Sequence, residues 1–401
     1  MKHLGVTSVI NDLHLSNNST IGNNNLGDSL GSPLTPGVNF SSAYAFKTIE
    51  DLSRYHLNKR DNVRYARDSN DLTRQVEEYF SHFYDGSPAF IFNSGMAAIS
   101  AALGVLLPTV SNVVTFGIYY RKTESLIKEN CKKLGLYHVS CDSLDDVLSL
   151  KLKGETLFFV ENFSNPFLRV VDIAELKKVF PGSKILLDST LQGLMNNRTE
   201  IKYADIAVSS CTKYIGGHND LLAGVLWVSE PRIVEEVWSH RSAYGTILDS
   251  FSAYFLLRSL RTYDLRMEKL LSNTAKVLEM LSESTAIEEI YYPFSFSNED
   301  QSALSSAYSH TGGVVSFKVK DSVKLENNFG QLCSIKMAPS FGSVDTLIEI
   351  PLYMSQGGRG NESMGGKYDT TLMSNRFVRL SVGCEPIEYL NQDLNNLLCR
   401  N

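Results

Sequence analysis

At 401 residues, with 43% hydrophobic and 20% charged residues, the chain has the length and composition of a globular protein of two domains. A net charge of −6 without a long basic run argues against nucleic acid as a partner, and no apolar stretch reaches the ~18–20 residues of a membrane span. No charged-then-apolar leader pattern is present, and six scattered cysteines without a C-x-x-C pair read as reduced thiols, so a cytoplasmic protein with no disulfide framework or metal site is expected.

Residues 1 to about 30 are rich in Asn, Ser and Gly (NNSTIGNNNLGDSLGS), a composition that buries little and predicts a mobile arm. Tyr65–Thr73 (YARDSNDLT) carries Arg67, either a solvated arginine before a helix or a bidentate phosphate ligand. Leu72, Val76, Tyr79, Phe80 and Phe83 then fall at helical spacing, up to a break at Asp85–Gly86. Ala89–Phe92 reads as a strand. The helix after it can be capped by Asn93 or Ser94, with Gly95 letting the backbone approach an anion at the helix start.

Val113–Tyr120 (VVTFGIYY) follows a strand pattern, and Phe116 offers an aromatic face for stacking or for the core. Thr156–Val160 is a buried strand that ends at Glu161 and leads into a Ser-Asn-Pro turn holding Asn165. Lys184–Leu187 is the next strand, and Asp188 ends it. That carboxylate can cap the following turn, or it can hold a protonated ring nitrogen.

Ala204–Val208 predicts another buried strand, followed by SSCTKYIGGHNDLLAG. A lysine at the end of a buried strand is costly unless its charge is paired or removed, and condensation with an aldehyde cofactor removes it. The hydroxyls of Ser209, Ser210 and Thr212 around Lys213 suit a phosphate. Ser250–Ser282 reads as one long helix and Gly312–Val319 as a strand. Met354–Thr371 reads as a loop over or near the site, and Phe377–Glu385 (FVRLSVGCE) begins as a strand carrying Arg379. That arginine either faces solvent or grips a carboxylate with two prongs.

The segment Ser210, Thr212, Lys213, Tyr214, Gly217, His218, Asp220 resembles the S-x-T-K-Y-x-x-G-H-x-D motif of the Cys/Met-metabolism, or trans-sulfuration, family of pyridoxal-phosphate enzymes. SGMAAI at Ser94–Ile99, the Glu161…Asn165-Pro166…Asp172 spacing, LRSLRTYDLRM and RLSVGCE resemble further motifs of that family, so the likeness runs from about Val38 to Glu385. It implies the aspartate-aminotransferase type of α/β fold. That fold has an arm (1–64), a large mostly parallel-sheet domain binding the cofactor (65–260) and a smaller C-terminal domain (261–401).

By the same likeness Lys213 carries pyridoxal 5'-phosphate as an imine, and Asp188 holds its ring nitrogen. Ser94, Gly95, Met96, Ser210 and Thr212 surround the phosphate, Asn165 lies beside the ring, and Arg379 with Ser340 receives the substrate carboxylate. Tyr65 and Arg67 reach the cofactor of a neighbouring subunit, in a homotetramer built from dimers. Phe116 stands where the family has a stacking, proton-carrying tyrosine, with Tyr120 at the family's second tyrosine.

A phenylalanine stacks but moves no proton, so leaving groups that depart as stable anions are favoured. The expected activity is γ-replacement on an activated homoserine, as in cystathionine gamma-synthases. The alternatives are β- or γ-elimination from a sulfur amino acid, and an idle cofactor-binding protein.

Overall fold

The computed structural model describes residues 33–60, 62–84, 86–194, 201–293, 310–354 and 374–399. The expected mobile stretch (1–30) and nearly all of the expected loop at 354–371 lie outside these residues.

Helices α1 (Ile49–Leu57) and α2 (Asp71–Phe83) precede the first sheet. Asn70 and Thr73 start α2 by accepting each other's backbone N–H groups, a capping box that satisfies two otherwise orphaned donors. The helix buries the expected face of Leu72, Val76, Tyr79, Phe80 and Phe83. Strand β1 (Ala89–Phe92) leads into α3 (Gly95–Leu106), whose cap is the Ser94 hydroxyl accepting the Ala97 amide at 3.1 Å. Strands and helices then alternate: β2 (Asn112–Phe116), α4 (Arg121–Leu134), β3 (Tyr137–Cys141), α5 (Leu144–Ser149), β4 (Thr156–Glu161), α6 (Ile173–Val179) and β5 (Lys184–Asp188). Strands β6 (Ile206–Ser210) and β7 (Gly224–Val228) close the series.

These seven strands form one sheet in the order β1-β7-β6-β5-β4-β2-β3, in which only β7 runs against its neighbours. Parallel strands need crossover helices, which cover both faces and demand apolar side chains on each. In β4, Phe158 and Val160 enter one core while Leu157 and Phe159 enter the other, beside Ala98 and Ala102 of α3. Each fully buried Phe or Leu contributes roughly 1.5–3 kcal/mol. The parallel strands all end on the same edge, where α/β sheets collect their ligands.

After α7 (Val234–Tyr244), the expected single helix is two, α8 (Ser250–Leu260) and α9 (Tyr263–Glu283). Thr262 leaves helical geometry at φ −114°, ψ 9°. Its hydroxyl donates to the Ser259 carbonyl at 3.2 Å, and Arg266 reaches the same carbonyl at 3.1 Å, so side chains take what the next turn would have bonded. This break lies between the strands of the first sheet and those of the second in chain order.

The second sheet is built from β8 (Ile287–Tyr291), β9 (Val314–Val319), β10 (Lys336–Met337), β11 (Leu347–Glu349) and β12 (Phe377–Ser381), ordered β10-β11-β12-β9-β8. Helices α10 (Ser322–Asn328) and α11 (Ile387–Cys399) accompany it. One hydrophobic core continues from Phe158 and Leu187 of the first sheet to Val315 and Leu380 of the second, through Tyr214, Tyr263 and Met267. Among the described residues no helix is long and apolar enough to cross a membrane.

Candidate active site

The carboxyl ends of β1, β4, β5 and β6 deliver Ser94, Glu161, Asp188 and Ser210 to one edge of the large sheet. At β1 and β6 the backbones approach closely. A Cβ on Gly95 would stand 2.8 Å from Ser210 Cβ, and one on Gly224 would stand 2.4 Å from the Ser94 carbonyl oxygen, so both positions require glycine. The amides of Gly95 and Met96 open α3 and carry its positive dipole end towards Ser210. Thr212 is fixed by the Ala223 amide, which donates to its hydroxyl at 3.1 Å, and Met96 Sδ accepts from Thr123 Oγ1 at 3.7 Å.

Asp188 accepts the Thr190 amide at 3.0 Å and its hydroxyl at 2.6 Å, and the Ser210 amide donates to that same hydroxyl at 2.9 Å. A short relay thus joins the Ser210 cradle to Asp188. Across the β4–β5 register, Asp188 is paired with Glu161. Burial raises the Asp188 pKa against the lowering effect of the Thr190 bonds. Although an edge of Glu161 stays open to solvent, burial and then the Asp188 charge push its pKa up to about 8. A buried carboxylate in this setting suits a protonated ring nitrogen.

Lys213 donates from Nζ to Ser340 Oγ at 2.6 Å and lies 4.9 Å from the centre of the Phe341 ring. Burial first, and then the Arg379 charge, bring its pKa down to about 8; Glu349 opposes the shift. The cradle glycine, the buried carboxylate and a lysine amine close to neutrality fit a phosphate, a pyridine nitrogen and an aldehyde.

Arg379 is buried, not solvent-facing, at 6% exposure. It donates to Asn165 Oδ1 at 3.0 Å and to the Ser340 carbonyl at 2.9 Å, and it pairs with Glu349 at 3.1 Å across the β11–β12 register. Ser340 therefore serves both cations, its hydroxyl for Lys213 and its carbonyl for Arg379. It does so at φ 93°, a left-handed conformation that costs a non-glycine residue free energy and recurs at functional sites.

Tyr214, next in sequence, fixes the lysine loop to the second sheet. The Gly313 amide donates to its hydroxyl at 2.9 Å, and Arg266 donates to its carbonyl at 2.8 Å.

Of the expected residues, Ser94, Gly95 and Ser210 come together where β1, β6 and β7 meet. Met96 lies in the first turn of α3 and Thr212 two residues past β6. Asp188 is joined to Ser210 through Thr190, and Asn165, Ser340, Arg379 and Lys213 form one bonded cluster. Tyr65 and Arg67 stand apart from that cluster. Both are exposed, the guanidinium lies 5.2 Å from the Tyr65 ring centre, and neither hydrogen-bonds to the Lys213 cluster among the described residues. Phe116 ends β2 at the same edge; it is buried, belongs to the core that also holds Cys211 and Tyr214 of the lysine segment, and lies 6.2 Å from the Phe158 ring. Tyr120, just past β2, is 48% exposed, and its backbone amide donates to Glu161 at 2.8 Å.

Glu349 and Thr190 were not among the expected residues. Glu349 had a signal, a carboxylate inside the apolar run LIEIP, which demands a buried cation. Thr190 had the weaker signal of a hydroxyl two residues after Asp188.

A doubly covered, mostly parallel sheet with a half-buried lysine and a buried carboxylate at its carboxyl edge is the setting of a pyridoxal-phosphate enzyme of the aspartate-aminotransferase fold. The chain belongs to the Cys/Met metabolism PLP-dependent enzyme family, whose model matches residues 20–399. It is 32% identical over 367 residues to chloroplastic cystathionine gamma-synthase 1 of Nicotiana tabacum, covering 90% of this chain and 67% of the tobacco protein. It is 28% identical to cystathionine gamma-synthase/O-acetylhomoserine (thiol)-lyase of Bacillus subtilis, over 94% of both chains. Among solved structures, cystathionine gamma-lyase of Lactobacillus plantarum, complexed with L-serine, superposes with a TM-score of 0.79 at 26% identity over 90% of this chain and 92% of the other.

Proposed function

We propose that the protein catalyses γ-replacement on an activated homoserine, with a thiol as the incoming nucleophile. The observation that carries this reading is the joint hold of Ser340 on Lys213 and Arg379, which sets a carboxylate seat beside a mobile lysine amine. The likeness to proteins named for cystathionine synthesis and for O-acetylhomoserine chemistry supports the choice of substrate.

Pyridoxal phosphate, when bound, supplies an aldehyde that condenses with amines and a ring that withdraws electrons from the substrate α-carbon. The Gly95 and Met96 amides, with the Ser210 and Thr212 hydroxyls, would hold its phosphate, and the Asp188 carboxylate would hold its ring N–H. Arg379, steadied by Asn165, holds the substrate carboxylate through a charge-assisted fork. Lys213 takes the α-proton as a neutral amine and returns protons to neighbouring carbons, while Ser340 Oγ gives its Nζ a fixed resting point. Phe116 offers the stacking face, and the Tyr120 hydroxyl is the first candidate for a proton carrier. Tyr65 and Arg67, unused within their own chain's cluster, serve the phosphate of a second subunit in a dimer-based homotetramer.

Elimination from a sulfur amino acid is the second reading, favoured by the Tyr120 hydroxyl. An acyloxy or phosphoryloxy group leaves without a proton, whereas a thiolate benefits from a donor there. The two readings separate when O-acetyl-, O-succinyl- and O-phosphohomoserine are each supplied with L-cysteine, and cystathionine is supplied alone. Cystathionine formation exceeding keto acid release supports replacement; dominant keto acid release from cystathionine overturns it.

A further inference from the structure

Glu161 has no part in the chemistry above, yet it contacts three site-bearing elements. One carboxylate oxygen accepts the Tyr120 amide at 2.8 Å, just before α4. The other accepts the Asn165 amide at 3.2 Å. The residue is also the register partner of Asp188 on the adjacent strand. Asn165 in turn accepts from Arg379 at 3.0 Å. A continuous path therefore runs from the ring-holding carboxylate to the carboxylate-holding guanidinium, and Glu161 is its middle member.

We propose that Glu161 is a positioning residue that keeps the Arg379 carboxylate seat in register with Asp188 by clamping the Asn165 loop. This rests on the functional reading above. Two N–H donors from opposite sides need two acceptor atoms, which a carboxylate has and a carboxamide has not. In Glu161→Gln the carbonyl oxygen keeps the shorter bond to Tyr120, and the amino group turns to the Asn165 amide, donor against donor. The Asn165 loop is released and Arg379 loses its steadying partner. Lys213 keeps its bond to Ser340, and Asp188 loses a neighbouring negative charge, a change that both probes feel alike.

The test is the affinity of two probes for the pyridoxal-phosphate-loaded protein at about pH 9, where Glu161 is ionised, read from the change in cofactor absorbance on titration. L-Alanine has a carboxylate; L-alaninamide has none. Glu161→Gln is expected to weaken L-alanine binding about tenfold, the worth of one charge-assisted hydrogen bond, and to leave L-alaninamide within about twofold. In an Asn165→Ala background the glutamine substitution should add nothing to the acid-to-amide ratio. Equal weakening of both probes, no weakening of L-alanine, or an undiminished effect in the Asn165→Ala background would overturn the proposal. Glu161→Met, of similar length, guards against poor folding of the first variant and should show the same preference against the acid. If both variants fail to fold, the residue serves the fold alone and the proposal falls. A native protein that gives no cofactor absorbance at all would instead overturn the functional reading.

Discussion

Lys213 and Ser340 lie 127 residues apart in sequence, and the amine of one donates to the hydroxyl of the other at 2.6 Å. The lysine follows a strand of the large sheet, and the serine precedes β11 of the small one. The Lys213 amine is thus held by a residue from the part of the chain that builds the second sheet. Borohydride reduction of protein supplied with pyridoxal phosphate should label the peptide around Thr212–Tyr214, and Lys213→Ala should remove both label and visible absorbance. A label elsewhere by mass mapping would refute the assignment.

The depressed Lys213 pKa sets a pH dependence. Imine formation needs the neutral amine, and burial with the Arg379 charge brings deprotonation down to about 8. Uptake of pyridoxal phosphate by the cofactor-free protein should accelerate with pH up to about 8 and then level off, whereas an ordinary lysine would go on accelerating to about 10. Arg379→Gln removes a like charge and frees Glu349 to favour the ammonium, so the midpoint should move upward. Stopped-flow absorbance across pH 6–10 measures it, and a downward move would contradict the assigned cause.

Arg379 and Glu349 form a buried pair whose two halves are expected to differ in function. Arg379→Ala leaves the Glu349 charge without that cation and should cost roughly 3–5 kcal/mol in denaturant unfolding. Adding Glu349→Leu should return much of the stability and none of the affinity for a carboxylate-bearing amino acid. Recovery of that affinity would show that Arg379 is not the carboxylate seat.

For the aromatic pair, Tyr120→Phe should slow substrates with a thiolate leaving group by ~100-fold or more, and acyloxy substrates far less. Phe116→Tyr places a hydroxyl in the core beside Phe158 and should cost roughly 1–3 kcal/mol without any gain in turnover. Steady-state kinetics on both substrate classes, with thermal unfolding, decides the matter. A gain in turnover for Phe116→Tyr would return the proton-carrying position to residue 116.

Site sharing is tested by mixing. Arg67→Ala and Lys213→Ala chains, each inactive alone, should regain part of the activity when co-assembled, since one composite site per pair stays intact. Mixed oligomers that form and remain inactive would place Arg67 in its own chain's site or outside any site.

Much of this was legible in the residues alone. Short continuous apolar runs located β1, β4 and β5, and a 3.6-residue period located α2, because such patterns are local properties of the sequence. The Lys213 segment and the Ser94 turn were legible for the same reason, since a cap, a glycine and a hydroxyl act on their own neighbourhood. The break at Thr262 was not, because the Arg266 guanidinium that fixes it also grips Tyr214 and Ile215 in a distant loop. Glu349 on Arg379, and Ser340 between two cations, follow from strand register in the second sheet and from its packing on the first. Contacts of that kind are set by three-dimensional packing, and sequence spacing holds no record of them.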